Sequence, residues 1–211
     1  MSAPAVTRWW WFRHAPVIDT HGRCYGRHDV DCDVSNVAAF RNLAARVPDG
    51  ATWLATPLAR TQKTARAIAD QLRPLGRAAP TPEIEPDFIE QDFGAWQGRS
   101  YAEIGAFGPE GHRFWLAPAT TAAPEGESFV DVIARVAAAV ERRTAAHAGR
   151  DIVVVAHGGS IRAAVAAALG LEPEVALALS VDTLSLTRLD HIAGPGLGHG
   201  WRVGNLNLPV V

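Results

Sequence analysis

Three short apolar runs that each end abruptly at polar residues constrain the fold of this chain most strongly. Runs of this length are typical of buried strands in a parallel sheet. In open α/β sheets, ligands bind beyond the carboxyl ends of such strands. If the three strands are parallel neighbours, the residues that follow them converge on one pocket. The runs and those residues are 9–12 with Arg13 and His14, 51–55 with Thr56 and Pro57, and 152–156 with His157 and Gly158.

The segments between these runs carry the periodicity of amphipathic helices. Alternating strands and helices predict an α/β fold, namely a three-layer αβα sandwich with a mostly parallel central sheet. We expect one domain over 1–211, with a long loop at 15–33 and an irregular cap insertion at about 99–127, where Gly and Pro break every periodic pattern. The predicted strands are 7–12, 51–55, 152–156, 183–189 and 201–206, and the predicted helices are 34–47, 57–72, 128–147 and 160–169.

The composition narrows the class of protein. Hydrophobic residues make up 48% and charged residues 20% of the chain, which is ordinary for a soluble globular protein. The 20 basic and 22 acidic residues nearly cancel, so the charge gives no reason to expect nucleic acid or an anionic membrane as partner. No apolar run reaches about 18 residues, and the start of the chain lacks the pattern of a signal peptide. With two thiols, Cys24 and Cys32, we expect a reduced, cytoplasmic protein.

The residues at the strand ends suit a phosphate group. Arg13, together with Arg60 in the first turn of the helix after the second strand, can bind a tetrahedral oxyanion through paired N–H groups. A helix that begins directly after His157 directs free N–H groups towards the same place. One imidazole can attack phosphorus to form a phosphohistidine, and the other can hold a phosphoryl oxygen.

A departing alcohol also needs a proton, and a carboxylic acid is the usual donor. Glu90 stands among Phe88, Ile89 and Phe93 in the sequence, and apolar surroundings favour the protonated acid. Three other acids compete for this role, and the sequence alone leaves them open: Asp92, Glu103 and Glu127.

Five ordered segments resemble the signatures of the histidine phosphatase superfamily, the phosphoglycerate-mutase-like proteins of branch 1. Arg13-His14 resembles its Arg-His-Gly signature, and residues 56–65 resemble its Ser-Pro-Leu-x-Arg-Thr-x-x-Thr-Ala segment. Residues 90–98 are similar to its Glu-x-x-x-Gly-x-Trp-x-Gly motif, residues 125–128 to its Gly-Glu-Ser segment, and residues 155–159 to its second-histidine motif. Together they span nearly the whole chain, which makes the resemblance highly specific.

The resemblance implies a phosphoglycerate-mutase-like fold and a role for each matching residue. His14 would be the nucleophile and Glu90 the proton donor, while Arg13, Arg60 and His157 would bind the phosphoryl group with help from the N–H of Gly158. It implies no metal and no organic cofactor.

Two positions depart from the family pattern. Ala15 replaces a glycine, and Thr20 stands where members often carry a phosphate-binding asparagine; whether Thr20 or Arg27 replaces that ligand stays open. The loop that also contains Tyr25 resembles a segment of α-ribazole-phosphatase-like members, which makes Tyr25 a further substrate-binding candidate.

The sequence therefore predicts a metal-independent phosphatase for a small phosphorylated metabolite, with α-ribazole 5'-phosphate as one candidate. A mutase that returns the phosphoryl group to its substrate is the first alternative, although residues 99–127 contain only two basic residues, Arg99 and Arg113. A catalytically silent binding module is the second. Trp96 and Trp115 are candidates for the mouth of the site. The oligomeric state is not predicted, and a homodimer stays open.

Overall fold

The computed structural model describes residues 4–18, 21–106, 115–194 and 200–209. This part of the chain contains six strands and six α-helices. The strands are β1 (Val6–Arg13), β2 (Thr52–Ala55), β3 (Glu83–Ile84), β4 (Asp151–Ala156), β5 (Leu186–Ile192) and β6 (Trp201–Leu208). The helices are α1 (Val37–Ala44), α2 (Ala59–Asp70), α3 (Tyr101–Gly105), α4 (Phe129–Ala146), α5 (Gly158–Leu169) and α6 (Pro173–Leu177).

The described strands form one mixed sheet in the order β3-β2-β4-β1-β5-β6. The first four in this order are parallel neighbours, whereas β5 pairs antiparallel with both β1 and β6. Only β5 therefore runs against the others, and the predicted mostly parallel sheet is confirmed. β4 lies between β1 and β2, which makes the three apolar runs direct neighbours.

Helices cover both faces of the sheet, which confirms the predicted three layers. Side chains alternate along β1, so Trp9 and Trp11 point to one face and stack with ring centroids 5.4 Å apart. That face packs against α4, α5 and α6. Phe12 points to the other face, which packs against α1 and α2. Burial of these large rings contributes the main hydrophobic stabilisation of the sheet.

The structure differs from the prediction mainly at element ends and in short elements. α5 begins at Gly158, two residues before the predicted start, because His157 already has extended backbone and acts as N-cap. The strand predicted at 183–189 begins at Leu186, and the two-residue β3 and five-residue α6 have no prediction. Elements this short lack the repeated apolar positions that periodicity requires. In the predicted cap, the structure describes α3 and the turns at 115–127, and residues 107–114 lie outside the described residues.

Candidate active site

The carboxyl ends of neighbouring parallel strands meet at one edge of the sheet, as the sequence predicts. The register pairs Arg13 of β1 with Ala156 of β4. The next residues along these strands are His14 and His157, whose ring centroids lie 5.3 Å apart. The backbone N–H of His14 also donates to the carbonyl oxygen of Ala156 at 3.0 Å. The predicted convergence of the two histidines is therefore confirmed.

His14 is fully buried and has one ring nitrogen available for a ligand. Its Nδ1 lies 2.7 Å from the carbonyl oxygen of Ala15. Because a carbonyl oxygen can only accept, Nδ1 carries the proton. Nε2 has no hydrogen-bond partner among the described residues. Burial, together with the positive charges of Arg60 and Arg13, lowers the pKa of His14 to about 3, so the imidazole is neutral and Nε2 keeps its lone pair.

His157 is held from the opposite side of its ring. Its Nε2 lies 2.9 Å from Oγ1 of Thr56, and that hydroxyl lies 2.9 Å from Oγ1 of Thr61. Nδ1 has no partner among the described residues. Burial, then the neighbouring His14 ring and the positive charges of Arg60 and nearby arginines, hold the pKa of His157 well below its ordinary value. A ring fixed at Nε2 can contact an oxygen of a bound group through Nδ1.

Two guanidinium groups flank the histidines. Arg60 is fully buried in the first turn of α2, where it donates to the carbonyl oxygens of His28 at 2.8 Å and Gly26 at 2.7 Å. Arg13 donates to the carbonyl oxygen of Val181 at 2.6 Å. The Nε of each arginine is buried without a partner in the described part of the chain. Each group is therefore fixed by backbone carbonyls and retains an unused donor.

Glu90 and Arg13 both line a cavity of about 430 Å³. The carboxyl is almost buried, and its Oε1 accepts the N–H of Gln91 at 2.9 Å. A Cβ at Gly159 would collide with this oxygen, so glycine is what lets the carboxyl lie against the start of α5. The cavity is lined by Arg13, Cys24, Tyr25, Gly26, Glu90, Phe93, Tyr101, Trp115, Leu116, Gly158 and Arg162.

The three competing acids lie elsewhere. Glu127 binds Arg135 at 3.0 Å and Arg27 at 2.8 Å. Burial raises the pKa of Glu127, but the hydrogen bond and charge of Arg135 outweigh this and hold it below its usual value. Asp92 also pairs with Arg27, and Glu103 is an exposed capping residue of α3. None of the three lines the cavity.

An ion-pair network holds the backbone of Glu90 from behind. Arg27 Nε donates to the carbonyl oxygen of Glu90 at 3.0 Å, and Arg135 Nη2 donates to the same oxygen at 3.2 Å. Both arginines also bind Glu127. Arg27, a candidate phosphate ligand in the sequence, is thus directed into this network and does not line the cavity. We call Arg27, Glu127 and Arg135 the support network.

The structure places the remaining predicted site residues in different positions. Tyr25 and Gly158 both line the cavity, and Gly158 is the first residue of α5, where backbone N–H groups have no acceptor within the helix. Thr20 lies outside the described residues. Of the two tryptophans, Trp115 lines the cavity, whereas Trp96 packs against a small cluster around Phe93.

Sequence reasoning missed one cation in the cavity, Arg162. It stands four residues after Gly158 in α5, so both lie on the same face of the helix. A single cation in an otherwise small and apolar helix is the signal that could have identified it. Cys24 also lines the cavity, but burial, followed by the negative charge of Glu90, raises the pKa of its thiol to about 12. This thiol stays protonated and is a poor nucleophile.

Two further observations concern the described residues only. No group of three or more His, Cys, Asp or Glu side chains there is arranged to hold a metal ion. No helix within the described ranges is both long enough and apolar enough to cross a bilayer.

Comparison with known proteins agrees with this arrangement. The family model described as "Histidine phosphatase superfamily (branch 1)" matches residues 9–203. A bifunctional protein of Mycobacterium tuberculosis is 34% identical over 151 residues, which cover 72% of this chain and 40% of that protein. The chain therefore spans about two fifths of the length of this relative. A glucosyl-3-phosphoglycerate phosphatase of Mycolicibacterium vanbaalenii is 36% identical over 155 residues, 67% of this chain and 65% of that protein.

The fold has a clear counterpart among solved structures. The native structure of a mycobacterial glucosyl-3-phosphoglycerate phosphatase superimposes with a TM-score of 0.79 at 25% sequence identity. The superposition covers 97% of this chain and 100% of that one. The similarity thus extends over both the sheet and the loops around the cavity.

Proposed function

We propose that this chain, which belongs to the histidine phosphatase superfamily (branch 1), is a phosphoric monoester hydrolase. It hydrolyses a small phosphorylated metabolite without a metal, through a phosphohistidine on His14. The observation that carries this proposal is the neutral His14, whose unprotonated Nε2 has no partner among the described residues and lies near the buried guanidinium group of Arg60 and the half-buried one of Arg13. A nucleophile next to cations that can bind phosphate is what this chemistry requires.

In the first half of the proposed reaction, Nε2 of His14 attacks phosphorus and the bond from phosphorus to the alcohol oxygen breaks. Glu90 gives its proton to that oxygen. Arg13, Arg60, Nδ1 of His157 and the N–H of Gly158 hold the other phosphoryl oxygens, where negative charge is concentrated. The negative phosphoryl group offsets the local positive charge that depresses protonation of His157, so binding favours a proton on its Nδ1.

In the second half, Glu90 is a carboxylate and takes a proton from water. The water oxygen attacks phosphorus, the N–P bond breaks, and inorganic phosphate and neutral His14 are released. Cavity space beside Glu90 supports water as the acceptor. The same residue acts first as acid and then as base, which explains why its carboxyl must stay close to the reacting oxygen.

Two substrates head the list for assay. The loop around Tyr25 resembles that of α-ribazole-phosphatase-like proteins, which supports α-ribazole 5'-phosphate. Relatives named glucosyl-3-phosphoglycerate phosphatase support glucosyl-3-phosphoglycerate as the substrate instead.

Two buried free thiols, Cys24 and Cys32, support the inference of a cytoplasmic protein. The sequence leaves a homodimer open, and the elution volume of the purified protein tests it.

A mutase differs only in the fate of the phosphohistidine. Among the described residues of 99–127, the cavity receives Tyr101, Trp115 and Leu116, so this segment contributes no cation to the cavity. Arg99 instead donates to the carbonyl oxygen of Ala95. This supports hydrolysis, and the ratio of inorganic phosphate to isomerised product from 3-phosphoglycerate tests it.

The first experiment is hydrolysis of para-nitrophenyl phosphate in excess chelator by the unmodified protein, His14→Ala and a control, His191→Ala. His191 packs against Trp201 and pairs with Thr7 near the start of β1, at the edge of the sheet opposite His14. We expect activity to survive chelator and to fall by about 10³-fold or more in His14→Ala. Acid-labile label on the protein after a quench would identify the phosphohistidine. Activity that persists in His14→Ala, or that chelator removes, would contradict the proposal, and no activity in any protein would favour a silent module.

A further inference from the structure

Two buried hydroxyl groups form a chain of hydrogen bonds that ends at the ring of His157, and the direction of these bonds can be worked out. The chain begins at Thr61, whose Oγ1 lies 2.9 Å from the carbonyl oxygen of Leu58 and 3.1 Å from that of Thr56. Carbonyl oxygens only accept, so without a proton between them these oxygens would repel the hydroxyl oxygen. The single hydroxyl proton of Thr61 is therefore directed to these carbonyl groups.

The direction of this first bond determines the next one. Oγ1 of Thr56 lies 2.9 Å from Oγ1 of Thr61. Because the proton of Thr61 is already used, Thr56 donates its own proton to Thr61. Oγ1 of Thr56 can then only accept, from the N–H of Leu58 at 3.3 Å and from Nε2 of His157 at 2.9 Å. The proton of the neutral His157 ring therefore lies on Nε2.

This assignment leaves a lone pair on Nδ1 of His157. Nδ1 is buried and has no partner among the described residues. The same is true of Nε2 of His14, because the proton of that ring lies on Nδ1. Two unprotonated nitrogens thus belong to neighbouring rings, whose centroids are 5.3 Å apart. Burial lowers the pKa of both rings, which agrees with two neutral imidazoles.

A lone pair on Nδ1 cannot hold a fully ionised phosphoryl oxygen, because both atoms only accept. His14 needs its own lone pair to attack phosphorus. A proton must therefore lie between Nδ1 of His157 and a phosphoryl oxygen. A phosphate monoanion brings this proton as its P–OH group, whereas a dianion takes it up from water. In both cases Oγ1 of Thr56 accepts from Nε2 and so stabilises the positive charge that the ring gains.

Resting on the proposed function, we propose that Thr56 and Thr61 are positioning residues that fix the ring proton of His157 on Nε2, so that the site binds a phosphoryl group together with one proton. This proton is shared between Nδ1 and a phosphoryl oxygen. A phosphomonoester loses its second proton at a pKa of about 6. Above that pH the protein should therefore take up close to one proton for each dianion that it binds. When phosphate leaves, the proton leaves with it or returns to water.

Other titratable groups near the site could also gain a proton when an anion binds, because the anion offsets the positive charges around them. The carboxyl of Glu90 lies against the start of α5, and His14 is the neighbouring ring. The test must therefore identify which atom gains the proton. The charged and titratable groups around His157 are Arg13 and His14 at the end of β1, Arg60 in α2, Glu90 in its loop and Arg135 in α4.

The test measures the uptake of protons and the position of the ring proton separately. Calorimetry of inorganic phosphate binding at pH 8, in two buffers of different ionisation enthalpy, gives the number of protons taken up without any turnover. It compares the unmodified protein with Glu90→Gln and His157→Gln. Nitrogen NMR of protein labelled at histidine distinguishes protonated from unprotonated ring nitrogens. The signals of the His157 ring are identified by their loss in His157→Gln.

We expect uptake of close to one proton in the unmodified protein and in Glu90→Gln, and of close to none in His157→Gln. Affinity for phosphate should fall roughly tenfold from pH 7.5 to pH 8.5, as linkage to one proton requires. In the spectrum, Nε2 of His157 should be protonated throughout, and Nδ1 only after phosphate is added. Absence of uptake, uptake that persists in His157→Gln, or a ring proton on Nδ1 before phosphate is added would overturn the inference.

Thr56→Val, Thr56→Ser and a control, Thr81→Val, test the hydroxyl chain. Thr56→Val keeps the shape of the side chain but removes the acceptor for Nε2. Phosphate affinity should fall about 10- to 100-fold, the range of a hydrogen bond to a charged group. The two ring-nitrogen signals should also move towards each other, because the hydroxyl no longer fixes one tautomer. Thr56→Ser should stay within about threefold and keep the spectrum, and Thr81→Val, at an exposed position, should change neither.

A loss of affinity in Thr56→Val with an unchanged ring spectrum would assign Thr56 a purely structural role and overturn the inference. Failure of hydrolysis, with proton uptake and the ring spectrum as expected, would instead overturn the proposed function.

Discussion

The two sides of the proposed site are built in different ways. The side that we propose to bind the phosphoryl group, called the phosphoryl side, consists of Arg13, His14, Arg60 and His157 and stands on the ends of parallel strands and the first turn of α2. Its side chains are fixed by backbone carbonyls and by neighbouring hydroxyls. The leaving-group side, which includes Glu90, stands on loops. The backbone of that acid is fixed by side chains of the support network.

Because the two sides are held differently, we expect substitutions on each side to have different effects on hydrolysis. Most of the phosphoryl side stands at the ends of central strands, whose backbone is fixed by ladder hydrogen bonds. The leaving-group side depends on ion pairs between segments that are distant in sequence. Loss of a phosphoryl-side residue should therefore affect every substrate alike. Loss on the other side should affect mainly substrates whose alcohol is a poor leaving group, because those need the proton most.

The largest effect is expected from Arg60→Met. It removes the guanidinium group that we propose as a donor to the phosphoryl oxygens, and it leaves the carbonyl oxygens of Gly26 and His28 without this partner. We expect kcat/KM to fall by about 10³-fold for aryl and alkyl phosphates alike. Arg66→Met on the exposed face of the same helix is the control. A loss confined to alkyl phosphates would mean that Arg60 belongs functionally to the leaving-group side.

A smaller and more selective effect is expected from Gly159→Ala. The new Cβ would collide with Oε1 of Glu90 and displace the carboxyl from the start of α5. We expect kcat for an alkyl phosphate such as glycerol 3-phosphate to fall by about 10²-fold, with a much smaller loss for para-nitrophenyl phosphate. Gly105→Ala is the control, since a Cβ there meets nothing within 4 Å. Equal losses on both substrates would show that the acid is not what the methyl displaces.

The phosphoryl side is also the part that the sequence predicts best. The end of a strand can be read from a short stretch of sequence, because the apolar run ends there. Neighbouring parallel strands end at the same edge of the sheet. His14, Arg13 and His157 could therefore be placed together from three short segments. The observed register, with Arg13 opposite Ala156, is the one that this reasoning requires.

The leaving-group side resists such prediction for a physical reason. Arg27 pairs with Glu127, which stands 100 residues later in the sequence, and nothing local distinguishes this contact from phosphate binding. The sequence alone does not distinguish Glu90 from the other candidate acids. Only tertiary contacts show that Glu90 lines the cavity whereas Glu127 forms ion pairs. Arg162 was missed because its significance depends on Gly158 and Trp115 lying beside it.

The buried histidines make folding stability sensitive to acid. The pKa of His14 is about 3 in the folded chain and about 6.5 when unfolded, so the unfolded chain binds the extra proton between these values. Stability is therefore lost as pH falls below 6.5, by about 2 kcal/mol at pH 5 from this group alone. Urea unfolding at pH 7 and pH 5 should show a smaller loss for His14→Gln than for the unmodified protein. Equal losses of unfolding free energy in the two proteins would mean that the pKa of His14 is not lowered in the folded chain.

The smallest effect, and the most direct test of how the leaving-group side is held, comes from Glu127→Gln. The change removes the charge that Arg27 and Arg135 share, and because these groups are partly exposed we expect a loss of about 1–2 kcal/mol at pH 7.

Because the folded pKa of Glu127 is lowered, its contribution is present above the ordinary glutamate value of about 4.3 and is lost as pH falls through the folded value. The difference in urea midpoint between Glu127→Gln and the unmodified protein should therefore shrink towards pH 4. Glu141→Gln, on an exposed turn of α4, should show no such trend.

If the support network positions Glu90, Glu127→Gln should also slow hydrolysis of alkyl phosphates more than that of para-nitrophenyl phosphate. A stability loss without that selectivity would assign the network to folding alone.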